Sequence, residues 1–380
     1  MIYLDHNATT PVLPEVARRM AEVTAMGPLN PSSAHRGGDA AREVLNASRE
    51  SLAALLGCDP EHLYFTGSGT EANNAVLRHG AYGGAILTTR IEHSSVIASA
   101  EALRETGVPV RFMEVCRAGR VEPEAVEEML SRARADGPVG LVSVQWVNNE
   151  TGVIQPIEEI FEICQRHGVL FHVDAAQAVG KLPIDLTALP LDFLSMTGHK
   201  IHAPAGVGAL FARAPIRPWM HGGDQERGHR GGTENSIGIA GLGAAAEARR
   251  RKFLTVTERL FALRNRLESS LLKEFPWLKV NGDRDARVGN TSNIHFVGLD
   301  GQAVMAQLDA AGICVSQSSA CTSQKPTHSY VLAAMGLSES EAFSSVRFSV
   351  GETNTEEEID QAVAEIALVV ERLSALEKLA

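Results

Sequence analysis

Between residues 62 and 211 the sequence carries seven short runs rich in apolar and β-branched residues. They are HLYFT from His62, AILTT from Ala85, VRFMEV from Val110, LVSVQWV from Leu141, VLFHVDA from Val169, DFLSM from Asp192 and VGALF from Val207. Several are apolar almost throughout, and a strand without polar alternation must be covered on both faces. Helical segments separate many of these runs, so the chain is constrained to an α/β fold with a mostly parallel central sheet. One such segment, AREVLNASRESLAALLG, sets Leu45, Leu52, Leu55 and Leu56 on one face and ends at Gly57, a natural stop.

Beyond about residue 255 the texture changes. A long helical stretch, FLTVTERLFALRNRLESSLLKEF, leads to shorter strands such as SNIHFVG and SSVRFSV. The chain closes on an amphipathic helix with Ile359, Val363, Ile366, Val370 and Leu373 on one face, and its TEEE start at Thr355 fits a capping box. We expect a large domain over 15–255. Residues 1–14 and 256–380 are expected to form a smaller α+β domain, which carries a loop at about 314–328.

Charge and cysteine usage narrow the function. A formal charge of −11 over 380 residues offers no basic footprint for nucleic acid or an anionic membrane. MIYLDHNATTPVLPE lacks the pattern of a signal peptide, and the most apolar stretch, IGIAGLGAAAEA from Ile237, is too short and glycine-rich to span a bilayer. Five scattered cysteines, none spaced as CxxC, disfavour a disulfide scaffold or structural zinc and fit a reducing cytoplasm. His199, His202, His221 and His229 match no metal-ligand spacing, and Lys200 among them would repel a cation, so no metal is expected.

Two residues make a specific demand together. Asp174 ends one apolar strand, at the edge where open α/β sheets bind ligands, and Lys200 follows 26 residues later just past another. Each alone reads better as a helix-starting Asp or a surface Lys. As a pair they suit pyridoxal phosphate, which needs a Schiff-base lysine and a carboxylate to keep its pyridine nitrogen protonated. A lysine between His199 and apolar Ile201 is expected to be partly desolvated. Gln177, one helical turn from Asp174, could reach the phenolic oxygen.

Other motifs fall at the same kind of strand end. TGSGTEANN (66–74) opens a helix and could cradle a phosphate through Gly69 and Thr70, with Ser68 and Glu71 as a capping box. His93, past AILTT, could stack on a planar cofactor and move protons. Asn149, in VNNETG, suits a carboxylate or cofactor oxygen. Thr233, in the glycine-rich RGGTENS, could reach a phosphate. Arg347, within SSVRFSV, suits an α-carboxylate, although an edge-strand salt bridge explains it nearly as well. Finally, Cys321 sits alone among small hydroxyl residues in SQSSACTSQKP, and thiols left in polar loops tend to be reactive.

LDHNATTPV, NPSSAHRGG, TGSGTEANN, EHSSV, VNNETGVIQP, HVDAAQAVG, GHK, QERGHRGGTEN, SSACTS and SVRFS occur in this order. Together they resemble the cysteine desulfurases of the NifS/IscS type, class V enzymes of pyridoxal phosphate fold type I, over essentially the whole chain. The resemblance implies that Lys200 carries the cofactor, Asp174 pairs with its pyridine nitrogen, Gln177 contacts its phenolic oxygen and His93 stacks on its ring. It implies a phosphate held by Thr70, Thr197 and His199, with Thr233 supplied by the other subunit of a homodimer. Asn149 and Arg347 would bind the substrate carboxylate. Cys321, on a mobile loop, would take sulfur from L-cysteine as a persulfide, leave L-alanine, and deliver the sulfur to an iron–sulfur scaffold or thiolation protein. Either His93 or the substrate's own thiolate would deprotonate Cys321. A selenocysteine lyase, or another class V aminotransferase or lyase, is the alternative. Two departures stand out: Thr197 replaces the common serine before GHK, and TSQKPTHS is shorter than the family's usual TSGSLEPSH.

Overall fold

The computed structural model describes residues 1–317 and 328–377. A two-residue strand, β1 (Ile2–Tyr3), precedes helices α1 (Pro14–Ala25) and α2 (Arg36–Leu56), the second capped by Gly57 in the left-handed region as its sequence requires. Strands and helices then alternate: β2 (Leu63–Thr66), α3 (Gly69–Ala81), β3 (Ala85–Thr89), α4 (Ser94–Glu105), β4 (Val110–Met113), α5 (Pro123–Asp136), β5 (Val139–Gln145), α6 (Ile157–His167) and β6 (Leu170–Asp174). Two more strands follow, β7 (Phe193–Thr197) and β8 (Gly208–Ala212).

All seven expected runs pair into one sheet, in the order β2-β8-β7-β6-β5-β3-β4. Only β8 runs antiparallel to its neighbours β2 and β7. The lack of alternation has the expected cause. Val142, Phe171, Leu194 and Phe211 face one buried cluster, while Leu141, Phe193 and Leu210 face another on the opposite side of the sheet. Each such side chain contributes roughly 1.5–3 kcal/mol of burial. The LVSVQWV run stops pairing at Gln145, because Val147 bridges instead to Ile154 in a tight turn.

Helix α7 (Ser236–Glu274) is continuous over 39 residues, joining two stretches that read separately in the sequence. Its glycines let it lie close on α2: a Cβ at Gly243 would come within 2.7 Å of Ser48. Beyond it lie β9 (Lys279–Val280), β10 (Thr291–His295), α8 (Gly301–Ala310), β11 (Ile313–Cys314), α9 (Tyr330–Ala334), α10 (Glu339–Phe343), β12 (Ser345–Ser349) and α11 (Glu356–Glu377). Strands β12, β10 and β9 form an antiparallel sheet, and β1 pairs in parallel with β11. A separate buried cluster unites Ile2 and Leu4 with Leu263, Leu267, Ile294, Phe348, Ile359, Ile366 and Val370. The capping box at the start of α11 forms, with Thr355 and Glu358 exchanging two hydrogen bonds of 3.2 Å. Among the described residues no helix is long and apolar enough to cross a membrane.

Candidate active site

Because β2, β3, β5, β6 and β7 run in parallel, their carboxyl ends meet at one edge of the sheet. A cavity of about 210 Å³ opens there. Its walls carry Gly69 and Thr70 from beyond β2, His93 from beyond β3, Asn149 from beyond β5, Asp174 and Gln177 from β6 and its following turn, and Thr197, His199 and Lys200 from β7. Asn7 and Ala8 from the N-terminal segment and Arg347 from β12 complete it. Thr233 does not join them: it is exposed, on the turn leading into α7. Cys321 lies outside the described residues.

Asp174 is buried, with Oδ1 accepting from the Ala176 amide at 3.0 Å and Oδ2 from Asn73 Nδ2 at 2.8 Å. The segment after it is a turn, in which Ala178 and Val179 both donate to the Ala175 carbonyl, and not the helical turn expected between Asp174 and Gln177. Gln177 is nonetheless brought to the cavity wall. Its Nε2 donates to the Asn7 carbonyl at 2.9 Å, and its Oε1 accepts from Lys181. Burial, with Lys200, Arg249 and Arg347 adding to it, pulls the Lys181 ammonium well below the usual lysine range. Lys200 Nζ donates to the carbonyls of Asn7 and Ala8, the latter at 2.6 Å.

Around the expected phosphate end, Ser68 Oγ caps α3 by accepting from the Glu71 amide at 3.1 Å. The reciprocal half of the capping box is missing. Glu71 instead accepts from the Gly67 amide, Trp219 Nε1 and Arg230, which ties α3 to the turn carrying Thr233. The first amides of a helix and its dipole favour an anion at Gly69 and Thr70. Burial, helped by Lys200 and His93, lowers His199 to about 4, so its imidazole enters this site neutral.

Arg347 is 1% exposed. It lines the cavity, and it is also ion-paired: its Nη2 lies 2.6 Å from Asp5 Oδ1 while Nη1 donates to the Asn149 carbonyl at 3.0 Å. Asp5 went unnoticed in the sequence, as did Asn7, Asn73, Ser95 and Lys181; only their places inside LDHNATTPV, TGSGTEANN, EHSSV and beside HVDAAQAVG pointed to them.

The residues fit pyridoxal phosphate. An amine, a buried carboxylate, an imidazole and a hydroxyl-lined helix start share one cavity. Three buried atoms lining that cavity (Asn73 Oδ1, Asn149 Oδ1 and Arg347 Nε) lack a hydrogen-bond partner among the described residues, as expected of walls built around a polar ligand. None of Cys58, Cys116, Cys164 and Cys314 lines the cavity, and burial lifts the Cys58 and Cys164 thiols to about 12.

Residues 2–362 match the model of the family described as aminotransferase class-V. A cysteine desulfurase of Trichormus azollae is 42% identical over 382 residues, covering 99% of this chain and 94% of that protein. The cysteine desulfurase IscS of Vibrio vulnificus (strain CMCP6) is 40% identical over 384 residues, covering 98% and 93%. Among solved structures, a NifS-like protein superposes with a TM-score of 0.90 at 33% identity, covering 98% of this chain and all of that one.

Proposed function

The chain belongs to the aminotransferase class-V family, among its cysteine desulfurases, and from that premise we propose that it converts L-cysteine to L-alanine with the aid of pyridoxal phosphate and passes the sulfur through Cys321 to an acceptor protein. The observation that carries this reading is the convergence of Lys200, Asp174, His93 and Arg347 on one cavity.

In this reading Lys200 anchors the cofactor covalently, Asp174 faces its pyridine nitrogen, Gln177 its phenolic oxygen and His93 its ring, while Thr70, Thr197 and His199 hold its phosphate. When bound, pyridoxal phosphate supplies an electron sink for charge developing at the substrate's α-carbon. The carbonyls of Asn7 and Ala8 orient Lys200 Nζ as the base that takes the α-proton. Arg347, immobilised by Asp5, and the Asn149 amide receive the substrate carboxylate. The Cys321 thiolate then attacks the substrate sulfur. An S–S bond forms, and the C–S bond breaks with its electron pair leaving on the β-carbon. Protonation of that carbon, together with return of the α-proton from Lys200 to the α-carbon, completes alanine.

Thr233, exposed and not among the residues lining its own cavity, supports a homodimer in which each subunit completes the other's phosphate site. The separate buried clusters support a large domain over 15–255 and a small one formed by 1–14 and 256–380.

Borohydride reduction of the cofactor-loaded protein, followed by peptide mass spectrometry, should place the adduct on Lys200, and the same preparation should form alanine from L-cysteine. A transamination product in place of alanine would point to an aminotransferase. Faster turnover of selenocysteine than of cysteine would point to a lyase.

A further inference from the structure

His93 is the N-cap of α4, and its Nδ1 accepts from the Ser95 backbone amide at 3.2 Å. A backbone N–H cannot turn round, so Nδ1 cannot itself carry a proton without setting two N–H groups against each other. The Ser95 hydroxyl lies 2.8 Å from the same nitrogen. That hydroxyl accepts from Asn73 Nδ2 at 2.9 Å, which leaves its own proton for Nδ1. The Asn73 amide has no freedom to flip either. Its Nδ2 also donates to Asp174 Oδ2 at 2.8 Å, and a flip would place an amide oxygen against a carboxylate.

Asn73 Nδ2 therefore donates both to Asp174 and to Ser95, and the Ser95 hydroxyl donates on to His93. Asp174 orients Asn73, Asn73 orients Ser95, and Ser95 orients His93. Asn73 is 1% exposed and Ser95 8%, so water competes poorly for any of these bonds. Nε2, with no partner among the described residues, is left to the cavity that His93 lines.

We propose that Asn73 and Ser95 are positioning residues that couple Asp174 to His93 and hold the His93 imidazole as the tautomer with its proton on Nε2. His93 then meets the cofactor ring and the substrate as a hydrogen-bond donor from Nε2, and can act as a base there only after releasing that proton. The charge of Asp174 would thus act on the cofactor directly and on the His93 ring through two side chains. Neither Asn73 nor Ser95 was marked by the sequence, since each looks like an ordinary residue in the first turns of a helix. The inference rests on the cofactor reading of this cavity for its catalytic meaning, and on the hydrogen bonds alone for the tautomer.

The test is a nitrogen NMR spectrum of holoenzyme labelled with ¹⁵N-histidine, the His93 signals being assigned by their loss in His93→Gln. Wild type should show an unprotonated, hydrogen-bonded Nδ1 and a protonated Nε2. Ser95→Ala and Asn73→Ala keep the backbone amide at position 95, so each should retain the Nε2–H tautomer but shift the Nδ1 signal toward that of a weaker hydrogen bond, and slow alanine formation about tenfold. The double variant should be no slower than the worse single one, because the two act in series. Ser95→Thr, which keeps the hydroxyl, should restore both the Nδ1 signal and the rate. A wild-type His93 protonated on Nδ1, or a Ser95→Ala spectrum identical to wild type, overturns the proposal even if alanine is made. Should wild type show the Nε2–H tautomer but make no alanine, the relay stands and the functional reading falls. If a variant fails to fold, the wild-type spectrum alone decides.

Discussion

Asp5 Oδ1 lies 2.6 Å from Arg347 Nη2, so the segment after β1 holds a guanidinium that lines the cavity. Asp5 also bridges to Ser349 in β12, which makes the N-terminal segment a brace for the strand carrying Arg347. An arginine so fixed pays little rotamer entropy on binding a carboxylate.

Removing the charge of Asp5 should therefore loosen the clamp without disturbing the reacting atoms. Asp5→Asn is expected to raise KM for L-cysteine about tenfold with kcat nearly unchanged. Arg347→Lys, which loses the planar fork, should raise it further. Steady-state kinetics separate the two parameters. An Arg347→Lys enzyme with wild-type KM would remove Arg347 from the substrate site.

Asp174→Ala removes the only carboxylate on the cavity wall among the described residues. It should lower turnover at least about 100-fold, the cost of a charged hydrogen bond in a buried site, and weaken cofactor retention. Cofactor absorbance after gel filtration, read beside alanine formation, checks both. Turnover within a few-fold of wild type would contradict the assignment.

Burial lowers His6 and His172 to about 4 from an ordinary value near 6.5. Between those values the unfolded chain binds protons that the native state refuses, so stability is present above pH 6.5 and is lost as pH falls toward 4. His172, fully buried between Ser143 and Ser195, should alone contribute about 2 kcal/mol of the loss between pH 7 and pH 5. Urea melts of wild type and His172→Gln at both pH values test this, the variant losing less. Equal losses in the two proteins would refute it.

Glu92 presents the opposite sign. Burial pushes its carboxyl well above the usual carboxylate range, and the charge of Asp174 adds to this, while Thr89 Oγ1 bonds it at 2.6 Å. The native state then keeps a proton that the unfolded chain gives up, so this contribution is present in acid and fades as pH rises through the raised value. Glu92→Gln, which mimics the protonated acid, should fold normally and show a flatter stability profile on the alkaline side. Greater destabilisation than about 1 kcal/mol at pH 7 would mean that the carboxylate form is needed.

What the sequence made legible follows from where strands end. Asp174, Lys200, His93 and Asn149 each close an apolar run or follow it directly, and the parallel sheet brings those ends together. The spacing sets Gln177 one helical turn from Asp174, yet the Ala175 amide bonds to Ser195 of the neighbouring strand and the segment turns. Asp5 and Arg347 stand 342 residues apart, and Asn73 and Asp174 stand 101 apart. Pairings of that kind leave no periodicity to read. The half-formed capping box at Ser68 belongs with them, since Arg230 and Trp219, distant in sequence, drew Glu71 away.

The central claim is that sulfur passes through Cys321. The most direct test is alanine and sulfide formation from L-cysteine by the cofactor-loaded wild type and by Cys321→Ala, with the protein-bound persulfide located by mass spectrometry after one turnover without reductant. The account predicts a persulfide on Cys321 in wild type, and a variant that still binds the cofactor but has lost most alanine and sulfide formation. A Cys321→Ala protein that makes alanine and sulfide at the wild-type rate would contradict it.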